Sequence, residues 1–230
     1  VTMTGVTNGI HNLSPLTFIN KKSLSITTDN TGGADWSGIY CEHNATLNFV
    51  GQSTTVIKGG YGIRMKTNNK LDVFIKDNST YTSTSYTTAV FNYTNFVVGN
   101  GNDGSTQCSA TVKLTVSYQH VLCAKPYSSE QSLTVFNSSK EAVLTKSGTA
   151  ATAIKFDAGA HAIKFLSNVS FVKIATLFEY TNNTTFANAN CFVTTNASSE
   201  PTIKVDVSSY NALYTGTLPA NAPETITLRP

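Results

Sequence analysis

Short alternations of apolar and polar residues recur along the whole chain. In Leu47-Asn48-Phe49 and Leu71-Asp72-Val73 the apolar residues sit two apart with a polar residue between them. A period of two puts successive side chains on opposite sides of an extended strand, with one side buried. No stretch keeps the spacing of an amphipathic helix over a dozen residues. Val169 to Tyr180 comes nearest, and its Val, Ile, Thr and Phe content favours strand. The chain is expected to be all-β.

Two kinds of segment follow one another in fixed order. The first kind is Gly38 to Cys41, Gly62 to Met65, Ala89 to Asn92, His120 to Cys123 and Ala153 to Phe156. The second is Thr46 to Phe49, Lys70 to Val73, Lys113 to Val116, Ser132 to Val135, Ala162 to Phe165 and Thr202 to Val205. Turn clusters such as Glu42-His43-Asn44 and Lys66-Thr67-Asn68-Asn69 separate them. Early repeats start 24 residues apart (Ile39 to Ile63, Leu47 to Leu71), and later spacings drift as loops inserted at one corner would make them.

One such unit carries too few inward apolar side chains to offset the entropy of ordering it. Stacked units share one core and pair every backbone N–H with the next rung. The expected architecture is a single-domain right-handed parallel β-solenoid over residues 1–217, of about nine rungs and roughly 40 Å long. Residues 218–230 read as a Pro/Ala-containing C-terminal linker or capping strand. Leu47, Leu71, Leu114, Leu133, Ile163 and Ile203 are expected to form one inward ladder. Ile39, Ile63, Val90 and Val121 form another, with Cys41 under Met65. The alternative is an antiparallel β-sandwich, but the fixed order of segments favours the solenoid.

The run from Trp36 through Gly51, followed by Thr55 to Met65, resembles the Gly-Ile-x-x, Leu-x-Ile-x-Gly, Val-x-Ile rungs of bacterial cell-surface β-solenoid adhesins. It is also similar to the wider pectate-lyase-like family of right-handed β-helices. The likeness covers residues 36 to 95 and concerns rung grammar. It implies a fold and a cell-surface setting. It leaves open glycan-binding adhesins, polysaccharide lyases, phage spikes and structural filament or surface-layer proteins.

Composition narrows the field. Charged residues are only 13%, about half the usual share, and Asn, Ser and Thr fill the gap. Net charge is +3, the arginines are Arg64 and Arg229, and the lysines are scattered. Phosphate recognition needs clustered cations, so no nucleic-acid partner is expected. No apolar run approaches the ~18–20 residues of a membrane helix, so the chain is not expected to span a membrane. A start at Val1 without a signal reads as a processed protein or a fragment. Extracellular, secreted or surface-displayed localisation is expected. Cys41, Cys108, Cys123 and Cys191 match no zinc spacing. Cys108 and Cys123 are the nearest pair and the candidate disulfide; the other reading is that some cysteines are small buried hydrophobes.

Catalytic signals are missing. A lyase needs a base beside carboxylates, often with calcium, and a hydrolase needs paired acids. The thirteen acids here are dispersed, and Asp72 and Arg64 fall on different sheets of the rung arrangement. Asn100 to Gly104 reads as a plain turn rather than a calcium loop, and Cys41-Glu42-His43 as a strand end with a turn. No enzyme activity, cofactor or metal is expected.

A binding surface remains. Sugars are held by stacking on aromatic rings while amides, hydroxyls and charges bond their hydroxyls. Tyr40, Arg64 and Phe91 are expected as outward neighbours, with Trp36 and Tyr61 at the leading corner and Lys66 leaving it. Tyr81 and Tyr86, in the insert 77–88, are further candidates. The function expected is a non-catalytic adhesin binding a glycan or host-matrix ligand. The alternative is a structural subunit that self-associates into a filament, surface layer or spike, and a lyase-like enzyme comes third.

Overall fold

Turn residues interrupt the alternation every five or so positions, so each strand is short and three strands close one level of a coil. The computed structural model describes residues 1–29, 35–146, 152–174, 176–180, 183–187, 190–195, 201–206 and 225–229. The first level is β1 (Thr2–Val6), β2 (Asn8–Asn12) and β3 (Leu16–Asn20); the second is β4 (Ser23–Thr28), β5 (Ser37–Cys41) and β6 (Ala45–Phe49). In the third and fourth levels one long strand turns a corner: β7 (Thr54–Met65) precedes β8 (Leu71–Ile75), and β9 (Thr80–Tyr93) precedes β10 (Asn95–Val98). The fifth level is β11 (Thr111–Val116), β12 (Leu122–Ala124) and β13 (Ser132–Phe136). Above it come β14 (Ala142–Lys146), β15 (Thr152–Phe156) and β16 (Gly159–Phe165), then β17 (Val169–Val172), β18 (Thr176–Tyr180) and β19 (Thr184–Ala187).

All neighbours in these levels pair in parallel, which makes three faces of a β-solenoid. The first face stacks β1, β4, the start of β7 and β9, β11, β14 and β17. The second stacks β2, β5, the end of β7 and β9, β12, β15 and β18. The third is the seven-stranded sheet from β3 to β19. Seven levels are six steps apart, or about 29 Å at the usual strand spacing. The expected nine rungs are too many for a physical reason. Long inserts leave the coil between levels, and beyond β19 the strands run antiparallel. There β20 (Asn190–Thr195) pairs with β21 (Pro201–Asp206) and with β22 (Thr225–Arg229), which in turn lies on β17. Ile203 therefore pairs with Val193 in the strand register and is in no ladder with Ile163. The boundary expected at 217/218 lies outside the described residues.

The inward ladder of the second face runs Ile10, Ile39, Ile63, Val90, Leu122, Ile154, Phe178. All but Ile10 are buried, and burying each such side chain stabilises by about 1.5–3 kcal/mol. Leu122, not Val121, takes the fifth place, while Cys41 does lie under Met65. On the third face Leu47 lies opposite Val73, and Leu71 opposite Ala45. That two-residue offset keeps both leucines inward, because side chains repeat every two residues. Leu114 belongs to the first face, opposite Leu144. Leu133 points outward, and its neighbour Thr134 faces the core, where Tyr93 and Thr134 share a hydroxyl hydrogen bond of 2.9 Å. Inserts occur at all three corners rather than one.

One insert changes what an outward position means. Residues 99–110 fold back over the outside of the third face, covering Phe74, Val97 and Val135, with Leu133 packed beside them. Gly104 sits directly on this patch at φ +66°, where a Cβ would stand 2.6 Å from Val135 Cγ1 and 3.0 Å from Val97 Cγ1. Asn137 Nδ2 donates to the Gly104 carbonyl at 2.7 Å, and Asn100 N donates to Thr106 O at 2.7 Å. Lys76 Nζ lies 4.6 Å from the Phe74 ring centroid and donates to Asn102 Oδ1 at 3.3 Å, closing the cover.

Candidate binding face

On the second face the inward positions of Ile39 and Ile63 put Tyr40 and Arg64 outward. The outer ladder runs His11, Tyr40, Arg64, Phe91, Cys123, Lys155, Glu179. The guanidinium of Arg64 lies 4.7 Å from the Tyr61 ring centroid and 5.8 Å from that of Tyr40, a double cation–π contact. Tyr61 meets Phe91 at 5.3 Å, and His11 meets Tyr40 edge-on at 4.8 Å. Rings and cation thus form one unbroken strip across four levels, in which Tyr40, Arg64 and Phe91 are partly exposed and Tyr61 is buried.

Carboxylates fix the charges on this strip. Arg64 Nη1 donates to Asp35 Oδ1 at 3.1 Å, while its Nε is buried with no hydrogen-bond partner. The Arg64 side chain keeps 21% of its surface exposed and that of Lys66 keeps 55%. Lys66 lies 5.9 Å from the Tyr40 centroid and 3.8 Å from Glu42, and the Tyr40 hydroxyl and Glu42 raise its pKa. Glu42 also accepts from His11 Nε2 at 3.2 Å. At the other end of the ladder His120 contacts Glu179 at 3.1 Å. Burial pushes Glu179 up, but His120, Lys155 and Thr152 outweigh it and hold the carboxyl below its ordinary range.

Of the eight candidates, Trp36, Tyr40, Tyr61, Arg64, Lys66 and Phe91 share this face or its leading corner, where the Trp36 carbonyl accepts from Tyr61 N at 2.8 Å. Tyr86 stands at the same corner two levels above Trp36. Tyr81 is a correction: it is wholly buried, packed 4.9 Å from Phe49. The stretch 80–88 is not a loop but strand, and its alternation turns Tyr81 into the core. Sequence reading missed Tyr118, which is 58% exposed and stacks on Tyr86 (37% exposed) at 5.6 Å with rings 8° from parallel. The signal was its place after β11, equivalent to that of Tyr86 in β9: Tyr118 N donates to Tyr86 O at 2.7 Å.

The expected Cys108–Cys123 disulfide is not formed; both are buried free thiols, as is Cys41. Cys108 precedes β11 beside Ser138 and Cys123 lies in β12, so the whole first face separates them. Burial pushes the Cys41 and Cys123 thiols up to about 12, which keeps them protonated and unreactive. Among the described residues no three His, Cys, Asp or Glu side chains converge as a metal site would require. Asp72 is on the third face, away from Arg64, accepting from Asn95 Nδ2 at 2.7 Å. The Ser132 hydroxyl meets His161 Nδ1, but both residues are wholly buried, and the other ring nitrogen bonds the Asp157 carbonyl at 2.6 Å. That pair is sealed from any substrate.

No family model, curated protein or solved structure matches the chain. The surface therefore has to be read from its own chemistry. Its partly exposed rings, hydroxyls and paired charges suit contact with a polar, ring-containing ligand.

Proposed function

We propose that this is a non-catalytic, extracellular binding module of adhesin type, recognising a glycan or host-matrix ligand on its second face. The observation that carries the reading is the ladder Tyr40, Arg64 and Phe91, in register and partly exposed, with the buried Tyr61 packed against Arg64 and Phe91, while the outward apolar residues of the third face are buried. Its hydroxyl- and amide-rich surroundings and the resemblance of residues 36 to 95 to adhesin rungs support it. The test is a glycan and matrix array probed at neutral and mildly acidic pH. Specific binding that falls on Tyr40→Ala or Arg64→Ala upholds the reading, and a blank array sinks it.

A second reading, a self-associating structural subunit, draws on the first level. The outer edges of β1, β2 and β3 have no strand partner among the described residues, and Leu13 and Ile19 there are exposed. Concentration-dependent light scattering would favour it, and a strictly monomeric protein would count against it.

A further inference from the structure

At the corner between the second and third faces, levels three and five carry loops, but level four turns through Thr94 alone. This leaves a groove of about 640 Å³ between Thr67, Asn68 and Asn69 on one side and Lys125, Pro126 and Tyr127 on the other. Small-ligand sites commonly enclose roughly 300–1,000 Å³. Both walls are braced. Asn69 Nδ2 donates to the Glu42 carbonyl at 2.7 Å, and Lys70 Nζ reaches Glu130 Oε2 across the gap at 2.8 Å. Pro126 rests on Gly159, at φ +129°, where a Cβ would stand 2.6 Å from Pro126 Cγ.

Charge distinguishes this groove from the second face. There, Arg64, Lys66 and Lys155 each face a carboxylate, and at the groove's edge Lys70 faces Glu130. Lys125 inside the groove contacts only an amide oxygen, Asn68 Oδ1 at 2.6 Å, and among the described residues no carboxylate lies within ion-pair distance of it. An amide dipole does not neutralise an ammonium, which has three donors to offer. Lys66 immediately precedes Thr67, so a ligand on the second face reaches the groove by turning this corner.

We propose that the groove is a subsite for an anionic substituent on a glycan, a sialic carboxylate or a sulfate ester. Lys125 supplies the charge, Tyr127 the apolar surface for a sugar face, and the Asn68 amide, released from Lys125, a hydrogen bond to the sugar. The proposal rests on the glycan-binding reading and adds the class of ligand. The test titrates sialylated, sulfated and unsubstituted N-acetyllactosamine into the full chain, followed by backbone amide NMR. At least one anionic sugar binds about tenfold or more tighter than the neutral one, as a charge-assisted bond implies. It moves the amides of Thr67, Asn68 and Lys125, and Lys125→Met, otherwise spectrally unchanged, removes the preference but keeps neutral binding. Which anion binds identifies the source. The proposal is overturned if the preference survives Lys125→Met, or if anionic sugars leave the groove amides still. Shifts confined to Tyr40 and Arg64 overturn the subsite and leave the second-face reading standing. Groove shifts that are indifferent to Tyr40→Ala support the subsite and remove the second-face reading.

Discussion

Two sides of one coil carry outward apolar residues in ladders, and they have opposite fates. On the third face Phe74, Val97 and Val135 are sealed beneath residues 99–110 and act as a small second core. On the second face Tyr40, Arg64 and Phe91 keep their strand register but stay half-exposed, held by cation–π contacts and two carboxylates. The strand grammar is the same in both places. What separates core from surface is where the chain sends its inserts, and an outward apolar ladder is a candidate site only where no insert returns to it.

The sharpest way to break that contrast is to place a charge on each ladder. Val97→Asp, under the insert, is expected to destabilise by roughly 3–5 kcal/mol, because an unpaired carboxylate is then buried. Phe91→Asp on the open face is expected to cost about 1 kcal/mol or less. Urea denaturation of the two variants compares them directly, and equal losses would mean that the second face is also covered. A finer probe of the cover is Gly104→Ala. It combines strain at φ +66° with a clash against Val135, and is expected to cost about 1–3 kcal/mol in the same measurement.

Much of this contrast was legible in the sequence. Ile39, Ile63 and Val90 lie in repeats 24 and 27 residues apart with their alternation intact, so Tyr40, Arg64 and Phe91 fall outward together. Leu133 shows why the rest was not. Its apolar character mimics an inward residue, but it belongs to the patch under the insert, and no local pattern reveals that a loop thirty residues upstream comes back to cover it. Tyr81 was hidden by β9, whose first half is rich in Thr and Ser and reads as an insert. Level count failed for a related reason, since β20 to β22 keep strand-like alternation while reversing direction.

Acid separates the interior from the open face in a different way. Burial holds His161 below its ordinary value of 6.5, so the unfolded chain takes up the proton first. The stability that this histidine contributes is complete above about 6.5 and is lost as the pH falls below it; His120, also lowered by burial, acts in the same direction. Urea midpoints are expected to fall between pH 8 and pH 5, and His161→Gln to flatten that slope. A slope unchanged by His161→Gln would exclude the buried ring as its source. A small effect on stability is expected from Arg64→Ala, about 1 kcal/mol for a cation–π contact that is only partly exposed, checked by the same denaturation.

That small cost makes Arg64 the residue on which the account is tested most directly. The measurement is calorimetric titration of the strongest ligand from the glycan and matrix array into wild type, Tyr40→Ala, Arg64→Ala and the third-face control Ile19→Ala. The account predicts about tenfold or greater weakening in the first two variants and wild-type affinity in the control. Affinity unchanged by either Tyr40→Ala or Arg64→Ala would contradict it and place the ligand elsewhere on the molecule.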